Sequence, residues 1–314
     1  MKRILGMAAV IAMVAACADE EATDTTVDLG GGEVDVEGAP VVTASTASVG
    51  DIGSITYNGS DELTVTIPLA ADSANTTYEA AGATNGYNRF TQQDDPLDRA
   101  YTAFAKTSTD GSITGVAISD GGQFNRFFGG ARVVQNNYTA PSSGLVSYGG
   151  EYVGLLNFGE IVGGDVNAPP SAQPRGASEV SGLVLLEADF TTGDVEGVIY
   201  ERTTTSAAFP ELEDVVLTVT DISSDGTFTG GTEFDDVDNT PNGSYAGVFG
   251  GTNAATVGGV IDLGAGFLTP LNMDGTLGDD PGNGAENEYG VFVIDICPGG
   301  GTPATCFNTE GPNE

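Results

Sequence analysis

Five copies of one short pattern constrain this chain more than any other feature: glycine, any residue, a large apolar residue, any residue, glycine. They are Gly111-Ser-Ile113-Thr-Gly115, Gly150-Glu-Tyr152-Val-Gly154, Gly193-Asp-Val195-Glu-Gly197, Gly226-Thr-Phe228-Thr-Gly230 and Gly243-Ser-Tyr245-Ala-Gly247. In a strand, positions i, i+2 and i+4 share a face, so each copy presents small–large–small on one side. The residues between them are mostly polar and face the other way. A narrow closed barrel needs this arrangement, with glycines where strands crowd or bend and a large side chain to fill the lumen. A sandwich uses similar devices. Most copies begin at turns, which argues against chance in a chain with 47 glycines.

No stretch of the chain beyond its first residues has the 3.6-residue apolar spacing of a helix, whereas period-2 alternation recurs between Gly, Asp, Asn and Thr turns. Val215, Leu217 and Val219 share one face of a strand that turns at Asp225-Gly226, and Val184–Phe190 turns at Thr192-Gly193 into Val195–Tyr200. Thr109-Asp110-Gly111 marks a third turn. Eight candidate strands follow Gly144, centred on Val146, Val153, Leu185, Val198, Leu217, Phe228, Ala246 and Val260. Eight strands make a side-chain-filled, antiparallel up-and-down β-barrel. The expectation is an all-β chain with this barrel over 141–264. A smaller β region over 52–140 precedes it, carried by Leu63–Pro68, Ala100–Lys106 and Ile113–Ile118. The extension 265–314 holds one further strand, Tyr289–Ile296.

The inventory removes whole classes of chemistry. There is no His, so neither a Ser–His–Asp or Cys–His nucleophile pair nor a His-ligated metal is available. A net charge of −36 excludes nucleic acid as a partner, because phosphates need a Lys/Arg surface. Without Trp there is no indole platform for sugars, and no carboxylate pair stands out, so the chain does not read as an enzyme. The acidic loops Asp235–Asn239 and Asp279-Asp280 fit no calcium-loop spacing and read as solvated turns. No cofactor or metal is expected. Arg126, beside Phe124, Phe127 and Phe128, reads as a strand end shielding core aromatics, with a contact patch as the other reading.

The first residues give an address. Lys2 and Arg3 precede the apolar run Ile4–Val14, too short to span a bilayer but suited to a secretory signal peptide over 1–16. Val14-Ala15-Ala16-Cys17 resembles the bacterial lipobox, which implies that Cys17 is acylated and that the chain is held on a membrane by its lipids. Ala18 after it implies export to the outer membrane. Residues 17–51 carry nine carboxylates and no Lys or Arg, and read as a disordered acidic tether reaching roughly 30 Å. Cys297 and Cys306 flank a Pro- and Gly-rich loop of eight residues. In an oxidising compartment they read as a disulfide that closes this loop and stabilises by about 2–3 kcal/mol.

The stretch from Gly243 to Ile261 resembles the closing barrel strands of transferrin-binding protein B and of related Slam-dependent bacterial surface lipoproteins. The residues that carry the signature are Gly243, Tyr245, Gly247, Phe249, Gly250, Asn253, Ala254, Val257 and Gly259. Lipobox, tether, small β region and barrel follow in the order of a single lobe. The resemblance implies a lipid-anchored outer-membrane protein at the cell surface that captures a protein or solute ligand for nutrient or iron uptake, with an outer-membrane transporter as partner. The alternative is a structural or adhesive envelope lipoprotein without a specific ligand. The ligand-contacting loops of that family have no counterpart that can be matched here.

Overall fold

The computed structural model describes residues 41–43, 46–50, 52–57, 62–65, 76–124, 127–157, 160–162, 167, 169–207, 210–235, 241–264 and 287–297. Nine strands form one sheet: β1 (Val41–Thr43), β2 (Thr46–Gly50), β3 (Ile55–Tyr57), β4 (Leu63–Val65), β5 (Thr76–Thr84), β6 (Tyr87–Gln92), β7 (Tyr101–Thr107), β8 (Ile113–Asp120) and β9 (Gly129–Gln135). Their order is β1-β2-β9-β8-β7-β6-β5-β4-β3. Eight more close into an antiparallel barrel in sequence order: β10 (Leu145–Leu156), β11 (Ser178–Asp189), β12 (Asp194–Thr204), β13 (Val215–Asp221), β14 (Thr227–Phe234), β15 (Pro241–Gly250), β16 (Thr256–Leu263) and β17 (Glu288–Ile296). The fold is all-β, an up-and-down barrel preceded by a smaller sheet.

The glycine pattern explains why the barrel can be so narrow. Tyr152, Val195, Phe228 and Tyr245 all lie in the lumen and are almost fully buried. Each ring fills the space left by a missing Cβ on a neighbouring strand. Phe228 pairs in register with Gly247 and Gly230 with Tyr245, and a Cβ at either glycine would overlap the facing ring. Gly259 makes the same room for Phe292, and Gly290 for Tyr152. A lumen closed by reciprocal ring-for-glycine exchange reaches interior density without widening the cylinder.

The fifth copy of the pattern departs from that expectation. Ile113 lies on β8 in the sheet, and it packs into notches at Gly250 and Gly258 on the outside of the barrel. Around it, Tyr87, Phe104, Ala117 and Val133 of the sheet meet Val153, Val248, Val260 and Val291 of the barrel in one apolar layer. Polar pins cross the same layer. The Tyr87 hydroxyl accepts the Val293 N–H at 2.8 Å and donates to Glu151 O at 3.1 Å. At the tip of the β5–β6 hairpin, Asn85 Nδ2 donates to Tyr152 O and Gly182 O. The opposite face of the sheet buries its own core, with Tyr57 edge-on to Phe90 and Tyr78 to Tyr101.

Three sequence expectations need correction. Val146 and Val153 were expected in separate strands, yet both lie in β10, whose pairing with β11 runs from Leu145↔Asp189 to Leu156↔Ser178. Gly149-Gly150 is not a turn, and Gly150 instead makes room for Ile294. The eighth strand is β17, placed by sequence in the extension 265–314, which pairs with both β16 and β10. Residues 46–50, assigned to the tether, form β2 against β9 and bury Ala47 and Val49. Their small apolar side chains find enough contact only against a partner strand.

One seam of the barrel is weakly closed. The β13–β14 ladder stops at Leu217↔Thr232. Beyond it the Thr218 hydroxyl donates to Gly231 O at 2.8 Å, the Thr220 hydroxyl to Thr229 O at 2.6 Å, and Tyr245 reaches between the strands to Thr218 O. Val219, expected to share the buried face of Val215 and Leu217, is 63% exposed there. Local openings begin where backbone pairing is thin. Hydrogen exchange read by mass spectrometry should therefore release residues 218–231 before any other part of the barrel, with β10 and β11 last. Equal protection of the two regions would contradict this.

Candidate functional site

The described parts of the connection between β10 and β11, residues 160–162 and 169–177, lie against the sheet as a flap. Its two arms pair through Ile161 and Arg175, with Val162 N–H donating to Pro174 O and Gly176 N–H to Glu160 O. The flap is stitched to the loop after β8: Gly121 N–H donates to Arg175 O and Arg175 N–H to Gly122 O. Backbone passes so close to backbone that a Cβ at Gly121 would overlap the Gly176 carbonyl. Gln123, buried, donates its side-chain amide to both Leu97 O and Ala172 O, at 2.8 and 2.9 Å. Phe124 N–H donates to Ser171 O.

These anchors hold Phe124 at φ 56°, a left-handed conformation that a bulky residue adopts only when its surroundings fix it. Its ring is 61% exposed. Leu97, Ile161 and Val162 are the exposed apolar residues of the same loop cluster, and Asp94, Asp95, Asp98 and Glu160 belong to the same loops. Beneath lies a charged footing. Asp120 pairs with Arg99 and accepts the Phe128 N–H; Arg99 also donates to Gln123 O at 2.8 Å and lies 4.6 Å from the Phe128 ring centre. Burial pushes the Asp120 carboxyl above its ordinary pKa, opposed by the Phe128 N–H and by Arg99. An anchored loop that presents an exposed aromatic next to acidic loops has the anatomy of a protein-binding hot spot.

Solved structures of transferrin-binding protein B match this chain. The protein from Haemophilus parasuis Hp5 aligns over 82% of this chain and 60% of its own, at 12% identity and a TM-score of 0.40. That of serogroup B Neisseria meningitidis aligns over 81% of this chain and 43% of its own, at 15% identity and a TM-score of 0.37. The chain thus spans about two fifths to three fifths of the length of these neighbours. No family model and no curated protein matches the sequence.

The signature residues are all structural. Tyr245, Phe249 and Val257 point into the lumen, where Phe249 meets Tyr148, Phe190 and Phe228 at centroid distances of 5.1–5.5 Å. Gly243, Gly247, Gly250 and Gly259 are positions where a Cβ would meet a neighbouring strand or ring. Asn253 and Ala254 form the β15–β16 turn with positive φ, held by Thr139 and by the Tyr148 hydroxyl on Ala254 O. None of them touches the Phe124 platform. The aromatic run that sequence assigned to core shielding divides: Phe128 is buried and Phe127 stacks on Tyr289, but Phe124 faces solvent. Arg126 lies outside the described residues, as do Cys17, Asp236–Asn239, Asp279, Asp280 and Cys306. Cys297 is disulfide-bonded.

Sequence reasoning named Phe124 but favoured core shielding over a contact patch, because only the folded loop, through Gly121 and Gln123, turns its ring outward. The Gly121-Gly122 pair was the available signal.

Proposed function

We propose that this chain is an outer-membrane surface lipoprotein, anchored by acyl chains on Cys17, that binds a protein ligand at the Phe124 platform. The carrying observation is the exposed ring itself, held in a costly backbone conformation by anchors from both the sheet and the barrel flap. A preorganised aromatic loses little freedom on binding, which is what makes such residues effective anchors. The lipobox and the likeness to transferrin-binding protein B lobes support the address and the binding role, and nutrient or iron acquisition is the purpose they suggest. A disulfide between Cys297 and Cys306 would secure the residues that follow β17. A partner transporter at the outer membrane fits the same picture.

The test compares the intact chain with Phe124→Ser on cells that display it. A protein recovered from growth medium by the wild type should be bound about 30-fold more weakly by the variant, the effect of losing a hot-spot anchor worth about 2 kcal/mol. External protease should abolish capture. Equal recovery by both chains would sink the platform, and full protection from protease would sink surface display.

A further inference from the structure

Beside the platform, between the sheet and the barrel flap, lies a cleft of about 420 Å³. Its floor is a row of polar residues that only the strand register brings together. Glu79 on β5 pairs with Thr91 on β6, and Thr91 pairs with Thr102 on β7. All three line the cleft. Thr91 shares its face of β6 with Tyr87, and Thr102 its face of β7 with Phe104, so the row lies on the face that is otherwise apolar and packed on the barrel. Thr102 is 6% exposed, and neither its hydroxyl nor that of Thr91 has a hydrogen-bond partner among the described residues. Thr102 is thus almost enclosed, yet its hydroxyl opens on the cleft and, like that of the half-buried Thr91, is free to bond what occupies it.

The charge around the row decides the ligand's sign. Arg89 is neutralised by Glu179 at 2.7 Å across the end of the cleft. That leaves the carboxylates of Glu79 on the floor and Asp94 at the rim, with Val162 and Ala177 supplying apolar wall. An anion would meet two unpaired carboxylates and no free cation among these lining residues. We propose that this cleft binds an aliphatic cation, a protonated amine or guanidinium on a methylene stem. Its N–H groups go to Glu79, Thr91 and Thr102, and its stem lies against Val162 and Ala177. The wider field of a chain at −36 concentrates such cations near it.

The site is independent of the Phe124 reading, and one titration separates them. Agmatine added to the intact mature chain should give saturable NMR shifts confined to amides of 77–79, 91–94, 100–102 and 176–179. Glu79→Gln, at an exposed position, should weaken binding roughly tenfold, in line with the loss of a charge-assisted bond. Thr102→Val should also weaken binding while leaving thermal stability unchanged or higher, since it removes an unpaired hydroxyl and keeps the volume. Phe124→Ser should leave agmatine binding as it was. Saturation at micromolar agmatine identifies a free solute as the natural ligand. Saturation only at millimolar identifies a lysine or arginine of a protein partner, for which agmatine is one severed side chain. Shifts that never saturate, or an affinity that Glu79→Gln leaves unchanged, overturn the site.

Discussion

Glu288→Ala should remove about 3–5 kcal/mol from the stability of this protein, a large part of the 5–15 kcal/mol that a folded domain holds. Glu288 sits in the barrel lumen with one carboxylate oxygen on Arg202, at 2.5 Å, and the other accepting the Tyr152 hydroxyl at 2.6 Å. Both charged side chains are fully buried, and Arg202 also donates to Glu213 O. Burial, reinforced by the Glu288 carboxylate, raises the Tyr152 phenol well above its ordinary pKa, so it remains a donor at every pH the protein meets. Removing the carboxylate strands a guanidinium in a dry lumen, which costs more than the pair itself contributes. Replacing both partners by apolar residues, as in Arg202→Met with Glu288→Leu, should recover most of the loss. Urea unfolding of the single and double variants checks this. A single-variant loss under about 1 kcal/mol would mean that water reaches the pair.

Gly247→Val should cost nearly as much, for the opposite reason. The new side chain would occupy the place of the Phe228 ring and press on the Gly258 carbonyl. Overpacking typically costs about 1–3 kcal/mol, and a closed cylinder has less room to relax than an open sheet, so the upper end or beyond is expected. Phe228→Ala alone should cost about 3–5 kcal/mol by leaving a cavity. The two together should cost clearly less than their sum, because each repairs part of the other's defect. Additive losses in a double-mutant cycle would show that ring and glycine are not coupled. Gly231 provides the control: a Cβ there would meet only the Thr218 hydroxyl at 3.6 Å, so Gly231→Ala should be mild.

How much of this was legible beforehand depended on whether the signal was local. The barrel was readable because Tyr152, Val195, Phe228 and Tyr245 each carry their glycines two residues away in sequence, on the strand or at the turn that starts it. The number of strands was right and their membership was not. Gly149-Gly150 looks like a turn in sequence, and nothing local says that β17 returns to β10 across the whole barrel. The sheet was harder. β5 is Thr-Thr-Tyr-Glu-Ala-Ala-Gly-Ala-Thr, with one large apolar residue, and it is a strand because of β6 rather than because of itself. The cleft was invisible for the same reason. Glu79, Thr91 and Thr102 are unremarkable singly, and only cross-strand register sets them side by side.

The position of β17 also sets a timetable. Every other barrel strand can pair with the one made just before it, but from Leu156 onward β10 waits for residues 288–296 to supply its second neighbour. A chain emerging N-terminus first therefore carries a growing sheet with two raw edges until its last strand appears, and raw edges invite pairing with other chains. The same delay keeps the polypeptide threadable, since a cylinder that lacks its closing stave cannot lock. The proposed lipoprotein address would require the chain to cross a membrane before it folds; late closure suits that route, and the Arg202–Glu288 pair is the bolt that ends it.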